Sequence, residues 1–127
     1  MKTLSACTAL ALAVLSHSTD VAADGNELLK ACQNGIAAFE SDGAQGSGYQ
    51  TGYCVGVMNG VSSMTELLNG AITKEKQFCL PKTMTNIQGA RVVVKYLTDH
   101  PNILHYPDGY AVLIAYQNTF PCNFKQE

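Results

Sequence analysis

The residues best suited to chemistry in this 127-residue chain are its five cysteines and three histidines. Structural zinc sites usually take their ligands from close pairs such as Cys-x-x-Cys, and no such pair is present. Four of the cysteines are instead spread along the sequence, which favours disulfide bonds over a metal site. They are Cys32, Cys54, Cys79 and Cys122.

The other chemical groups do not form a catalytic pattern. His100 and His105 lie in one short segment, where His100 precedes Pro101 and is predicted to cap a helix. The carboxylates are scattered, and no Gly-x-Ser-x-Gly, His-Glu-x-x-His or phosphate-loop motif occurs. We therefore expect a binding protein rather than an enzyme, with no catalytic residue, metal or cofactor.

Length and charge narrow the class of partner. The formal net charge is −2 and 14% of the residues are charged, so no basic surface is predicted for nucleic acid or for an anionic membrane. The length suits one small domain, and 46% hydrophobic residues argue against disorder.

Residues 1–23 have the organisation of a secretory signal peptide. Lys2 precedes an apolar stretch from Leu4 to Leu15, and Ala23 closes a run of small residues suited to cleavage. Cleavage there leaves residues 24–127 as a single domain with no membrane-spanning segment. The four cysteines of that domain, exported to an oxidising compartment, predict two disulfides with three possible connectivities.

The periodicity of apolar residues after the signal peptide predicts an all-α fold of four helices with no alternating strand. A polar glycine-rich loop, Ser41–Gly48, separates the first two helices, and a Thr85-x-x-Gln88 capping box begins the third. The predicted helices run from Asn26 to Phe39, from Tyr49 or Gln50 to Ile72, from Thr85 to His100, and over Tyr110–Tyr116.

Two antiparallel helical hairpins would place the cysteines in pairs. Cys79, just before the third helix, and Cys122, just after the fourth, would lie at the same open end. Cys32 and Cys54 would lie on facing helices. This favours Cys32 with Cys54 and Cys79 with Cys122, although Cys32 with Cys79 is also sterically possible.

Two patterns favour a homodimer. Gly52, Gly56 and Gly60 repeat every four residues, which predicts the close approach of another backbone, either the first helix or the same helix of a second chain. The fourth helix has no polar face and must be covered by its own domain or by a second subunit.

The order of several motifs resembles that of the Tai/Rap immunity proteins of type VI secretion amidase effectors. The resemblance extends from Leu28 to Cys122. It implies a periplasmic, helical, disulfide-bonded homodimer that binds a peptidoglycan amidase with a Cys-His active site and blocks its cleft, which protects the cell from sibling toxins. The motifs that carry it are Leu-Leu-Lys-Ala-Cys at 28–32, Gly-Tyr-Cys-Val-Gly-Val-Met-Asn-Gly at 52–60, Phe-Cys-Leu-Pro at 78–81, Tyr-Leu-Thr-Asp-His-Pro at 96–101 and Phe-Pro-Cys at 120–122.

A stiff loop is the predicted effector-binding element. Pro101 and Pro107 limit its ends, and Leu104 and Tyr106 offer apolar anchors with a low ordering cost. Loop residues of this kind are usually packed down as a lid, which is the alternative interpretation, and the Ser41–Gly48 loop is a competing site. The predicted contact residues are Asn102, Ile103, Leu104, His105 and Tyr106.

Two other functions fit part of the sequence. An acid-stress chaperone of the HdeA type is also small, helical, dimeric and disulfide-bonded, but it would be expected to cluster its carboxylates or interface histidines. A periplasmic adaptor without a toxin partner is the third reading. The acids of this chain are scattered, so the immunity reading is preferred.

Overall fold

The computed structural model describes residues 23–122, which form five α-helices and two short 3-10 turns. The all-α fold predicted from the sequence is confirmed for these residues. The predicted signal peptide lies outside them except for Ala23. No helix among residues 23–122 is long and apolar enough to cross a membrane. The helices are α1 (Gly25–Glu40), α2 (Gly48–Ser63), α3 (Thr65–Ala71), α4 (Asn86–Asp99) and α5 (Asp108–Thr119), and the turns are Lys74–Lys76 and Pro101–Ile103.

Helix α1 begins at a side-chain cap. The carboxylate of Asp24 accepts hydrogen bonds from the backbone N–H groups of Asn26 and Glu27, at 2.9 and 3.1 Å. These bonds satisfy donors that the first turn leaves unpaired. The apolar face that includes Leu28 and Cys32 then turns into the core.

The second helix was predicted to continue to Ile72, and this prediction of its length is wrong. The helix is broken at Met64 into α2 and α3. The N–H of Met64 bonds to the carbonyl of Val61, three residues back, and the hydroxyl of Thr65 takes the carbonyl of Ser62 at 2.7 Å. The Met64 bond has the three-residue spacing of a 3-10 turn in place of the four-residue spacing of the α-helix, so the regular helix is interrupted before α3.

The capping box predicted for α4 is present. The Thr85 N–H donates to the side-chain oxygen of Gln88 at 2.9 Å, and the Gln88 N–H donates back to the Thr85 hydroxyl. The helix ends at His100, whose Nδ1 lies 2.8 Å from the carbonyl oxygen of Tyr96. His100 is thus the helix cap that its position before proline predicts.

The core lies where α1, α2, α4 and α5 meet, and α1 contacts both α2 and α4. The fourth predicted element is a helix, α5, that starts two residues earlier than expected. One side of it is buried, whereas Tyr110 is exposed, so its own domain covers it only in part. The largest fully buried side chains are Tyr116, Phe78, Leu28, Met58 and Leu97.

The two disulfides join consecutive cysteines and differ in exposure. Cys32–Cys54 ties α1 to α2 inside the core, with both residues buried. Cys79–Cys122 lies at the surface and ties the segment before α4 to the end of α5, where the Cys79 N–H also bonds to the carbonyl of Phe120 at 2.8 Å. The alternative pairing of Cys32 with Cys79 is not formed.

The glycine stripe of α2 faces away from the rest of the domain. A Cβ built on Gly52, Gly56 or Gly60 would meet no atom within 4 Å. The expectation that α1 covers this stripe is therefore wrong. The close approach of α1 to α2 occurs instead beside Gly35, where a Cβ would lie 3.6 Å from the Cα of Thr51.

Candidate functional site

The loop between α4 and α5 is held against the start of α1. The Gly25 N–H donates to the carbonyl of Tyr106 at 3.0 Å, and the side-chain amide of Asn26 donates to the carbonyl of Leu104 at 3.1 Å. The Asp108 N–H donates to the carbonyl of Ala23 at 3.1 Å. Two backbone positions of the loop and the first residue of α5 are thus fixed by a segment some eighty residues away in sequence.

Gly25 permits this contact because it has no side chain. A Cβ there would lie 2.9 Å from the Cα of Leu104 and 3.0 Å from its carbonyl oxygen, closer than real Cβ contacts allow. Both atoms belong to the backbone and cannot swing aside. Packing, rather than the two prolines alone, therefore sets the position of the loop.

The predicted contact residues are divided between core and solvent. Ile103 is only 7% exposed and belongs to the core, and Leu104 is half-buried. Asn102 and His105 are exposed, and Tyr106 is 37% exposed. Ile103 and Leu104 therefore anchor the loop to the core. The three exposed residues remain accessible to a partner.

The loop and the start of α5 form an aromatic cluster. We call its three residues, His105, Tyr106 and Tyr110, the aromatic tip. The His105 and Tyr106 rings lie 4.4 Å apart between centroids, and Tyr106 meets Tyr110 edge to face at 5.4 Å. Tyr110 was not among the residues predicted from the sequence. Its spacing of four from Tyr106, across the start of α5, was the signal that could have found it.

A hydrogen bond fixes the base of the aromatic tip. The hydroxyl of Tyr53, on α2, donates to a carboxylate oxygen of Asp108 at 2.6 Å. Burial raises the pKa of Tyr53, and the hydrogen bond and negative charge of Asp108 raise this pKa further, so the hydroxyl keeps its proton at neutral pH. The first turn of α5, which carries Tyr110, is thereby attached to α2.

His100, the other histidine of this region, is not part of the tip. Its ring stacks on Tyr96 with centroids 4.0 Å apart, and its Nδ1 lies against the Tyr96 carbonyl. Both contacts lie within the last turn of α4. His100 is therefore the C-cap of α4, and His105 is the histidine of the aromatic tip.

The competing loop, Ser41–Gly48, has a different surface. The Gly43 N–H bonds to the carbonyl of Ala38 at 2.7 Å, and the Ser41 hydroxyl bonds to that of Ala37. Gly46 has a φ of 82°, and a Cβ there would lie 2.5 Å from the Asn34 carbonyl oxygen. The loop is ordered against the end of α1, but it offers no large apolar side chain as an anchor.

The tip is suited to recognition. Tyrosine and histidine rings offer apolar faces and polar edges, and their few rotatable bonds keep the cost of ordering them low. Among residues 23–122 no three His, Cys, Asp or Glu side chains are grouped so that they could hold a metal ion. The surface ion pairs, Arg91 with Glu40 and Lys95 with Asp99, involve none of the tip residues.

Comparison with models of known protein families gives a match over nearly all of the described residues. A family model described as Rap1a immunity proteins matches residues 24–122. The matched region begins at Asp24, the cap of α1, and ends at Cys122 of the second disulfide, so it includes all five helices. No curated protein and no solved structure matches the chain.

Proposed function

The chain belongs to the Rap1a immunity protein family, and from this membership we infer that it neutralises a peptidoglycan amidase delivered by a type VI secretion system. Immunity proteins act by binding a cognate effector. The chain would thus be a non-enzymatic inhibitor that protects its own cell from the toxin of sibling cells.

The observation that carries this proposal is the aromatic tip. It combines exposed aromatic rings with a backbone fixed by Gly25, Asn26 and the Tyr53–Asp108 bond. Binding energy in protein interfaces concentrates in such aromatic anchors, and preorganised anchors lose little entropy on binding. The tip therefore meets the requirements for an element that enters a cleft.

In this proposal the aromatic tip inhibits the amidase by occupying its active-site cleft. An amidase with a Cys-His active site must admit a substrate amide between its nucleophile and its base. Tyr106 and Tyr110, seated in that cleft, would exclude both substrate and attacking water. Inhibition by this route needs no reaction with the toxin and depends only on the affinity and the geometry of the tip.

The proposal includes a homodimer that uses the glycine stripe of α2. Gly52, Gly56 and Gly60 form an exposed strip with no atom within 4 Å of a built Cβ, which allows a second backbone to come close. Two large side chains flank the strip along the chain, Tyr49 at 79% exposure and Met64 at 48%. A second copy of α2 would cover both the strip and these side chains.

The proposed compartment is the periplasm, reached through cleavage after Ala23. The small domain has one disulfide in its core and one at its surface. Disulfides of this kind are typical of proteins in an oxidising compartment. Peptidoglycan amidases act in the same compartment. Amino-terminal sequencing of protein recovered from the periplasm would test the cleavage site, and a retained leader would contradict it.

Affinity capture tests the effector assignment. The full chain, expressed with its leader and a carboxyl-terminal tag, is recovered from the periplasm and incubated with lysate of sibling cells that have active type VI secretion. We expect one stoichiometric amidase among the retained proteins, identified by mass spectrometry, and inhibition of that amidase by the added immunity protein.

Two variant baits test whether the aromatic tip is the surface that binds the amidase. Tyr106→Ala with Tyr110→Ala alters the tip, while Phe39→Ala removes an exposed aromatic ring that lies outside both the tip and the glycine stripe. Loss of the amidase with the first bait only supports the proposed surface. Capture of many unrelated proteins at low pH, or of no amidase by the unaltered chain, would contradict the proposal.

A further inference from the structure

Two different helices hold the loop that carries the aromatic tip. The start of α1 bonds to the loop through the Gly25 N–H, which donates to the carbonyl of Tyr106 at 3.0 Å, and through the side-chain amide of Asn26. Helix α2 bonds to the residue that follows the loop, because the Tyr53 hydroxyl donates to Asp108. Both sets of contacts can exist together only while α1 and α2 keep their positions relative to each other.

The Cys32–Cys54 disulfide is the covalent link between α1 and α2. The side-chain hydrogen bonds and ion pairs described for residues 23–122 connect α1 to the loop and to α4, and none connects it to α2. At the close approach of Gly35 to Thr51 the two helices meet through small groups, which interlock little. The disulfide is therefore the strongest restraint on the relative position of the two helices.

This disulfide also lies close in sequence to both sets of contacts. Cys54 directly follows Tyr53 in α2, and Cys32 comes about two turns after Gly25 in α1. Both cysteines are buried in the core. A shift of α1 along α2 would break one of the two sets of contacts with the loop, and the disulfide opposes that shift.

The second disulfide has no such position. Cys79–Cys122 ties the segment before α4 to the end of α5, whereas Tyr110 of the aromatic tip lies at the start of α5. The second bond also joins residues 43 positions apart, against 22 for Cys32–Cys54. In the chain-entropy model a longer closed loop stabilises the fold at least as much. Comparison of the two bonds therefore separates an effect on the tip from an effect on overall stability.

We propose that Cys32 and Cys54 are positioning residues of the effector-binding surface. Their disulfide fixes α1 against α2 and so holds the aromatic tip in the arrangement that the effector recognises. A chain without this bond keeps the side chains of the tip but loses their arrangement, and it binds the effector weakly. The effector part of this inference rests on the function proposed above, whereas the restraint on the loop is a property of the chain alone.

Two double variants test the inference. The core variant is Cys32→Ala with Cys54→Ala, and the surface variant, Cys79→Ala with Cys122→Ala, is its matched control. Both are recovered from the periplasm after expression of the full chain, and circular dichroism checks the fold. If the core variant does not fold, Cys32→Val with Cys54→Ala takes its place, because valine fills part of the space left by the sulfur atoms. Failure of both to fold would overturn the inference, since the bond would then serve the whole fold.

Amide hydrogen exchange tests the restraint on the loop without an effector. The Gly25 N–H, bonded to the loop, should exchange at least about tenfold faster in the core variant than in the surface variant. The Gly89 N–H, which donates to the carbonyl of Thr85 within α4 at 3.0 Å, should exchange at similar rates in both. Equal exchange of Gly25 in the two variants, or a matching increase at Gly89 in the core variant, would overturn the inference.

Titration with the captured amidase tests the effector part. We expect the core variant to bind at least about tenfold more weakly than the unaltered chain, and the surface variant to bind within about threefold of it. Equal weakening in both variants would overturn the positioning role. If the unaltered chain captures no amidase, the function proposed above fails, and the exchange rates still decide whether the disulfide positions the loop.

Discussion

The hydroxyl of Tyr53 donates a 2.6 Å hydrogen bond to Asp108 and so connects the middle of the protein to the loop that carries the aromatic tip. Tyr53 lies on α2 one residue before Cys54, which is bonded to α1. Asp108 begins α5 immediately after the loop. A contact between residues 55 positions apart thus ties a core helix to the proposed binding surface.

Replacement of Tyr53 by phenylalanine removes this bond and keeps the ring. We expect the free energy of unfolding to fall by about 1–2 kcal/mol, because Asp108 loses a charge-assisted partner. Urea denaturation measures the change, with Tyr49→Phe as the control on a 79% exposed tyrosine. Equal stability of the two variants would show that the bond contributes little.

The same bond predicts an alkaline transition. The pKa of Tyr53 is raised in the folded protein, so the stabilisation is complete below the ordinary tyrosine pKa of about 10 and is lost as the pH rises through the higher folded value. Burial raises the pKa of Tyr116 in the same direction. The loss of stability between about pH 10 and pH 12 should be smaller in Tyr53→Phe than in the unaltered protein.

The aromatic tip should carry the affinity for the effector. Tyr106→Ala with Tyr110→Ala is expected to weaken binding by at least about 2 kcal/mol, since both rings are accessible and held by neighbours. Isothermal titration with the captured amidase measures this loss, and circular dichroism checks the fold. Leu104 is a poor choice for this test, because its half-buried side chain packs against the core and its replacement would also affect the fold. A double variant that inhibits normally would remove the tip from the interface.

Gly25→Ala should displace the loop. The added Cβ meets the Leu104 backbone at 2.9 Å, and we expect a loss of about 1–3 kcal/mol in the free energy of unfolding, together with weaker effector binding. Gly109→Ala is the matched control: it lies in the first turn of α5, and a Cβ there meets nothing within 4 Å. Similar thermal unfolding of both variants would refute the proposed close contact.

The glycine stripe gives a test of the dimer. Gly56→Leu adds a side chain into open space in the single chain, so the fold should be retained, but the side chain would prevent close packing of a second α2. Sedimentation velocity at equal concentrations should show a monomer. Gly70→Leu, in the equally open α3, should leave the dimer intact. The same association state in both variants would place the dimer interface elsewhere.

The two disulfides should be reduced in sequence. Thiol–disulfide exchange requires that a thiolate reach a sulfur atom, and Cys79 is exposed whereas Cys32 and Cys54 are buried. Under native conditions with increasing dithiothreitol, alkylation and peptide mapping should label Cys79 and Cys122 first. Early labelling of Cys32 would contradict the expected order.

The helices that could be predicted well are those whose local signals agree. The ends of α4 have a Thr85–Gln88 capping box and a histidine before proline, and the structure contains both. The break at Met64 could not be found in this way, because the apolar spacing from Val61 to Leu68 continues through it. It coincides with the bonds from the Met64 N–H to Val61 and from the Thr65 hydroxyl to Ser62, which the spacing of apolar residues does not predict.

The candidate site was located only in part. The loop's prolines and apolar residues identified a stiff, accessible segment, but the burial of Ile103 and the contact of Gly25 with Leu104 depend on packing across some eighty residues. Tyr110 was assigned to an all-apolar helix because sequence periodicity does not show which turn emerges from the core. Such long-range pairing is not encoded in a single local pattern.

The consecutive pairing of the cysteines has a consequence for biogenesis. A chain that enters an oxidising compartment amino terminus first exposes Cys32 and Cys54 before Cys79 and Cys122, so each thiol that emerges meets its native partner as the next available one. No bond has to be broken and remade to reach the final connectivity. Maturation of this protein should therefore require a thiol oxidase but no disulfide isomerase.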